Sequence, residues 1–364
     1  VSPLLTLMST RYMPDITGLA FMLSSVYFFL SSVKNNDARS FWISTLLMGL
    51  LAGIRLSYIP FFIPILYGFW IFKKSFWKSI LSGMIGIVIW LIPFVIDTGW
   101  ESLIQIASNH TNGHFNEWGG TVSSTSESYF IRMAKMFESI WADGLGGTWK
   151  GRHWLTLTSS LAWTIAILSG IKTQAQRLRK ERSIIYWLLI VSLVCYMIWA
   201  FFFQNIIYKP RHVMPLIPFI ILVAIHGSQQ FKKSSFQLIF NSSLFLNVAI
   251  ITSVLSFQHL SPSAISQIKN FLVQHKSTKT IISGSELDQY YLSNHKDLEN
   301  CVFTHFDNID QLQDLKQEGY AIMSTRVLNV TAFGNPDAVN KFTHNPYVNR
   351  LWSTRYLYTY NSNE

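Results

Sequence analysis

Long apolar runs separated by short polar gaps dominate this chain, and lysine and arginine collect in every second gap. The runs cover roughly 16–33, 41–54, 56–72, 79–96, 153–170, 184–203, 213–230 and 236–257. The basic gaps hold Lys34 and Arg39; Lys73, Lys74 and Lys78; Lys172, Arg177, Arg179, Lys180 and Arg182; Lys232 and Lys233. Cytoplasmic loops of membrane proteins carry the Lys/Arg excess. Those gaps are therefore expected inside, with the first fifteen residues, 97–152, 204–212 and everything after 257 outside. The pattern predicts a polytopic α-helical membrane protein of about eight spans, with a transmembrane domain over 1–257.

The net charge of +10 would suit a nucleic-acid binder, but most of the cations sit in the short cytoplasmic gaps. The charge is thus read as topology and attraction to anionic membrane lipids, with no nucleic-acid partner. Cys195 lies in an apolar run and Cys301 far away, so neither a disulfide framework nor a metal-ligand spacing is expected. No cleavable signal peptide is expected ahead of the first run, which would serve as an uncleaved span. A chain that opens on the outer side with Val1 leads one to expect further helices upstream.

After Phe257 the composition changes, and residues 258–364 read as an extracytoplasmic α/β domain. Helices are expected over 262–275, 286–292, 309–319 and 337–343, and strands over 280–284, 301–306, 320–324 and 352–360. Their alternation predicts a largely parallel sheet. No internal repeat is evident. Within the outer loop 97–152, Phe130, Met133, Phe137, Ile140 and Trp141 share a helical face, which predicts a helix lying in the membrane interface. His110, His114 and Glu117 have a metal-like spacing, but Asn112-Gly113 between them favours a solvated loop. Glycosylation-type triplets such as those at Asn109 and Asn329 are of a kind common by chance.

Three groups of residues could carry chemistry. The run 41–54 makes a helix of about 20 Å, short of a bilayer core of about 30 Å, so Arg55 is expected in the outer half of the membrane. An ionisable residue there either lines a polar cavity or snorkels to headgroups. Tyr208-Lys209-Pro210-Arg211-His212 places cations outside, against the positive-inside trend. Such cations suit a phosphate or simple headgroup contact. Ser9-Thr10-Arg11-Tyr12-Met13-Pro14-Asp15 enters the first run, where Asp15 is suited to cap the helix.

The stretches Ser9–Asp15, Gly49-Leu-Leu-Ala-Gly-Ile-Arg55-Leu-Ser-Tyr58-Ile-Pro60 and Lys209-Pro-Arg-His-Val-Met-Pro215-Leu-Ile-Pro218 resemble segments of the GT-C membrane glycosyltransferases. Within them the likeness is to the protein O-mannosyltransferase and aminoarabinose-transferase-like group. The resemblance implies sugar transfer, with inversion, from a polyprenyl-phosphate donor to a glycan, lipid or protein acceptor on the outer side. It implies Asp15 as general base and Arg11, Arg55, Tyr58, Lys209, Arg211 and His212 as substrate-binding residues. No cofactor is expected, although some members use a divalent metal. The family's principal acid lies in a first outer loop that has no counterpart here. The resemblance therefore implies a chain without its N-terminal spans, or an inactive form. A bacterial inner membrane is the expected location. A lipid-linked saccharide flippase and a non-catalytic membrane scaffold are the competing expectations.

Overall fold

A computed structural model describes residues 2–9, 13–117, 121–181, 183–230, 234–275, 279–299, 301–345 and 353–361. It divides into two compact units, Val1–Val254 and Leu255–Glu364.

The first unit is helical. Its elements are α1 (Pro3–Ser9), α2 (Asp15–Asn35), α3 (Ala38–Arg55), α4 (Ile65–Ile71), α5 (Phe76–Thr98), α6 (Trp100–Asn112), α7 (Tyr129–Glu138), α8 (Thr156–Glu181), α9 (Ile184–Phe203), α10 (Ile217–Ser228) and α11 (Ser234–Phe257). Among the described residues six helical stretches are long and apolar enough to cross a membrane, fewer than the eight expected. Two expected runs account for the difference. The run 56–72 is a 3-10 segment (Leu56–Phe62), a turn at Ile63-Pro64 and the seven-residue α4. Pro60 and Pro64 remove the amide donors that a continuous helix needs. The run 153–170 lies in α8, which is long enough, but its Thr and Ser content keeps it from being apolar enough.

Small residues set the helix packing. Ser25 Oγ donates to Ser44 O at 2.8 Å and Ser44 Oγ to Ser25 O at 2.9 Å, fixing the register of the antiparallel α2 and α3. Ser82 Oγ reaches Trp42 O (2.7 Å) and Trp90 Nε1 reaches Gly49 O (3.0 Å), while Gly49 lies against Gly86. Positions thus rise together along α3 and α5, which run parallel. The segment 56–72 between them must therefore return, and Phe72 does pack on Phe41 near the start of α3, with ring centroids 5.3 Å apart. Gly170 of α8 and Gly227 of α10 make a similar close approach, each facing the other helix's backbone carbonyls. Such contacts let helix backbones meet where burial of apolar area supplies little drive.

The 97–152 region is more regular than expected. The helix α6 runs through Asn112 and passes into a π-turn over Gly113–Glu117, so Asn112-Gly113 does not break it. In α7, Phe130, Met133 and Phe137 are exposed while Arg132 and Met136 are buried, so the apolar face points away from the rest of the unit.

The second unit holds α12 (Ala264–His275), β1 (Thr280–Gly284), α13 (Glu286–Ser293), β2 (Val302–His305), α14 (Ile309–Gln317), β3 (Ala321–Ser324), α15 (Val330–Phe333), β4 (Ala338–Thr343) and β5 (Thr354–Tyr360). The sheet order is β2-β1-β3-β5-β4. The strands β1, β2 and β3 are parallel, whereas β5 joins β3 and β4 antiparallel, so the sheet is mixed rather than largely parallel. Residues 338–343, expected as helix, form the edge strand β4. Pairing of the whole of β4 with β5, together with Val339, Phe342 and Thr343, overrides the weak helical pattern. Side chains alternate between two cores: Ile282 with Ile268, Leu272 and Leu357, and Ile281 with Leu312, Ile322 and Tyr360.

Replacing Gly86 by leucine should force α3 and α5 apart. The overpacking is expected to cost about 1–3 kcal/mol, read as a lower melting temperature of the detergent-solubilised protein. Gly83→Leu, at a position with ordinary clearance from α3, should cost less.

Candidate anion site around Asp15

Asp15 is the first residue of α2, yet its carboxylate makes no capping hydrogen bond to the helix backbone. It turns into the bundle instead, fully buried, and its Oδ1 takes an ion pair from Arg55 Nη2. The serine lock between α2 and α3 sets this meeting. Counting down α2 from Ser25 and up α3 from Ser44 brings Asp15 opposite Arg55. Gly18, one turn further along α2, leaves the room in which the Arg55 stem lies: a Cβ there would sit 2.8 Å from Arg55 Cγ. Arg55 therefore points at a buried carboxylate and not away from the bundle.

Arg211 approaches the other carboxylate oxygen, with Nη1 3.9 Å from Oδ2. It arrives from the 3-10 segment Pro210–Leu216, which leads into α10. Arg55 and Arg211 thus occupy matching places. Arg55 immediately precedes one seven-residue 3-10 segment and Arg211 is the second residue of another; each segment has an internal proline (Pro60, Pro215) and leads towards an α-helix. The first segment packs on α9 and α10 through ring contacts, Tyr58 on Tyr196 (6.0 Å) and Phe61 stacked on Phe219 (5.3 Å). This local correspondence does not stand out in the sequence, because Leu56–Phe62 and Pro210–Leu216 have little in common residue by residue.

Tyr58 is buried below Arg55, whose guanidinium carbon lies 5.8 Å from the ring centroid. The Tyr58 hydroxyl has no hydrogen-bond partner among the described residues. His212 is buried, with Nδ1 likewise unpartnered. Lys209 completes the cationic group: burial pushes its ammonium below the usual range, and Arg211 and Arg55 push it further. His110, at the end of α6, is lowered first by burial, then by His114 and Lys209. The structure thus brings Asp15, Arg55, Tyr58, Lys209, Arg211 and His212 into one polar cluster. Arg11 lies outside the described residues.

Several members could not be picked from sequence. Tyr196 donates to His212 O at 2.8 Å and so holds the turn that aims Arg211; a tyrosine inside an apolar run was the only signal. Met13 Sδ accepts from Arg211 Nη1 at 2.9 Å. Arg132, fully buried, donates through Nη2 to Gln204 O at 2.5 Å, anchoring the loop ahead of Lys209 to α7. His114 meets Phe203 O at 2.7 Å, so it is engaged with backbone. No group of three His, Cys, Asp or Glu residues suited to a metal occurs among the described residues.

Removing Arg55 strands a buried carboxylate, so Arg55→Ala should destabilise the first unit by about 3–5 kcal/mol. Asp15→Asn should cost less, because the Arg55 side chain is 17% exposed and can recover hydration. In thermal unfolding, the double variant should lie well above the sum of the two single losses. Additivity would mean that the pair is not coupled.

The chain matches no family model, no curated protein and no solved structure.

Proposed function

We propose that this protein binds a polyprenyl-phosphate-linked sugar at the Asp15 cluster and transfers the sugar to an acceptor on the outer side of the membrane. The observation that carries the reading is the charge imbalance: one buried carboxylate faces both Arg55 and Arg211, and Lys209 lies close enough to the two arginines to feel their charge. A purely structural pair needs one cation. A surplus held in partly buried positions suits an anionic ligand, and guanidinium forks match phosphate oxygens. The likeness of the three motifs to GT-C transferases points to the same chemistry.

In this reading the donor phosphate lies on Arg55 and Arg211, with Lys209 adding a point charge. The acceptor hydroxyl oxygen attacks the anomeric carbon, and the bond from that carbon to the phosphate oxygen breaks. Its electron pair leaves with the polyprenyl phosphate, whose charge the cations stabilise. The hydroxyl proton passes to the Asp15 carboxylate.

The eight-crossing topology belongs to the same proposal. The parallel course of α3 and α5 supports a return crossing through 56–72, made by a broken segment, and α8 supplies the remaining crossing. The C-terminal unit then lies outside, in a bacterial inner membrane. An outside-active reporter should work when fused within 110–125 or after Phe257, and fail after Lys180 or Lys233. Activity at Lys180 would overturn the arrangement.

The transfer reading is tested with a labelled polyprenyl-phosphate sugar and purified protein in lipid. Arg55→Gln or Arg211→Gln should weaken donor binding by about 2–5 kcal/mol. Asp15→Asn should bind the donor no less tightly than the native protein and lower acceptor-dependent release of polyprenyl phosphate by about two to four orders of magnitude. The matched, proline-broken segments favour a second reading, a flippase for the same lipid. Arginine-dependent movement of the intact donor across a vesicle membrane, with no sugar transferred, would establish that alternative.

A further inference from the structure

This inference rests on the anionic-ligand reading and concerns what filling the site does to Asp15. Asp288 in the second unit shows a buried carboxylate fully provided for. Its Oδ1 takes Arg355 Nη1 at 2.5 Å, and its Oδ2 takes Ser285 Oγ and Thr325 Oγ1, each at 2.9 Å. Asp15 is held on one side only. Its Oδ1 pairs with Arg55, while Oδ2 has no hydrogen-bond partner among the described residues and Arg211 stands 3.9 Å away. Arg211 meanwhile donates to Met13 Sδ, a weak acceptor. Both guanidiniums thus approach one carboxylate, of which a single oxygen is hydrogen-bonded among the described residues.

Exposure differs across the cluster. The Arg55 and Arg211 side chains are 17% and 21% exposed, and that of Asp15 not at all. A ligand arriving from outside meets the arginines first. A phosphate offers more acceptor oxygens than Asp15 does, and charge-assisted bonds to both forks would outcompete the single pair.

We propose that the phosphate of a lipid-linked ligand exchanges with Asp15 at Arg55 and Arg211, so that the carboxylate is released only in the loaded site. Asp15 is then a place-holder in the empty protein and a general base in the filled one. Before the donor is seated, the carboxylate is tied to Arg55 and cannot take a proton from a hydroxyl or from water. The donor's own phosphate sets it free. Gating of this kind requires the ligand to bind the open arrangement better than the closed one, and the paired state lowers apparent affinity by the fraction of sites that are open.

That competition gives a counter-intuitive result to look for. A short-chain polyprenyl phosphate is titrated into the full-length protein in detergent, with binding read by tryptophan fluorescence. Removing the competitor with Asp15→Asn should tighten binding by about tenfold, corresponding to an open fraction of about one tenth in the unmodified protein. Arg55→Gln and Arg211→Gln should weaken binding in both backgrounds. Unchanged or weaker binding by Asp15→Asn, with the arginine dependence kept, overturns the exchange and leaves the anion site standing. Loss of the arginine dependence overturns both. Equal affinity for inorganic phosphate overturns the lipid-linked ligand.

A second measurement needs no substitution at Asp15. With carboxyl-labelled aspartate, infrared difference spectra of the native protein should show a carboxylate band shift when the polyprenyl phosphate binds. No shift at saturating ligand overturns the exchange.

Discussion

A charge taken out of water must find a partner, and Asp15 finds Arg55 across the α2–α3 hairpin. Much of the first unit's arrangement follows from that requirement. In a low-dielectric interior an uncompensated carboxylate costs several kcal/mol, more than a single helix contact returns. The pair therefore needs a fixed register. The reciprocal Ser25–Ser44 hydrogen bonds supply it, and Gly18 clears the space for the Arg55 stem. Nearby, the helices give up regularity: the backbone leaves helical geometry at Arg55 before a 3-10 segment begins, and α10 is preceded by a 3-10 segment that carries Arg211. Irregular backbone inside a helical bundle needs protein packed around it, because its polar groups are not all paired within a helix. Here Tyr58, Phe61, Tyr196 and Phe219 supply that packing.

Away from the site, small side chains do the work that large apolar ones do in soluble cores. The contacts at Gly49–Gly86 and Gly170–Gly227 bring backbones together, and Trp90 and Ser82 add hydrogen bonds to carbonyls of α3. Apolar side chains such as Trp77, Leu81 and Ile96 of α5 stay exposed, as lipid contact allows. The second unit follows soluble rules: two cores on opposite faces of a sheet, with Asp288 buried under three donors.

Sequence patterning carried the helical, membrane-type character of residues 1–257, because a period-free apolar run has few other physical uses. The run count was less legible. Hydropathy registers the apolar stretch 56–72 but not the backbone break that Pro60 and Pro64 impose. It also marks 153–170 as a run, although its hydroxyl side chains leave it less apolar than the others. In the second unit the strands and helices up to Ser324 were readable from alternation. The strand β4 was not, since an edge strand exposed on both faces shows no clean period and owes its existence to β5. The cluster was legible residue by residue but not as a cluster. Arg55 and Arg211 attract attention as cations in apolar surroundings, and Asp15 as a helix start. Their convergence depends on register between helices forty and more positions apart, which no local pattern encodes. Tyr196 and Met13 stayed hidden because their roles exist only once Arg211 is in place.

The contrast between the two buried aspartates reaches beyond either one. Around Asp288, hydroxyls and a guanidinium saturate both oxygens, so the group has nothing left to offer a ligand; it is a latch between α13 and β5. Around Asp15 the provision is uneven: cations exceed carboxylates, while one carboxylate oxygen and the Tyr58 hydroxyl lack partners among the described residues. Folding alone gains nothing from buried polar atoms left unsatisfied, since each costs about 1–3 kcal/mol. A fold that keeps several of them in one place, supported by two broken segments, spends stability where a polar ligand would restore it. That imbalance, more than the presence of any one charged residue, separates a binding site from a structural ion pair.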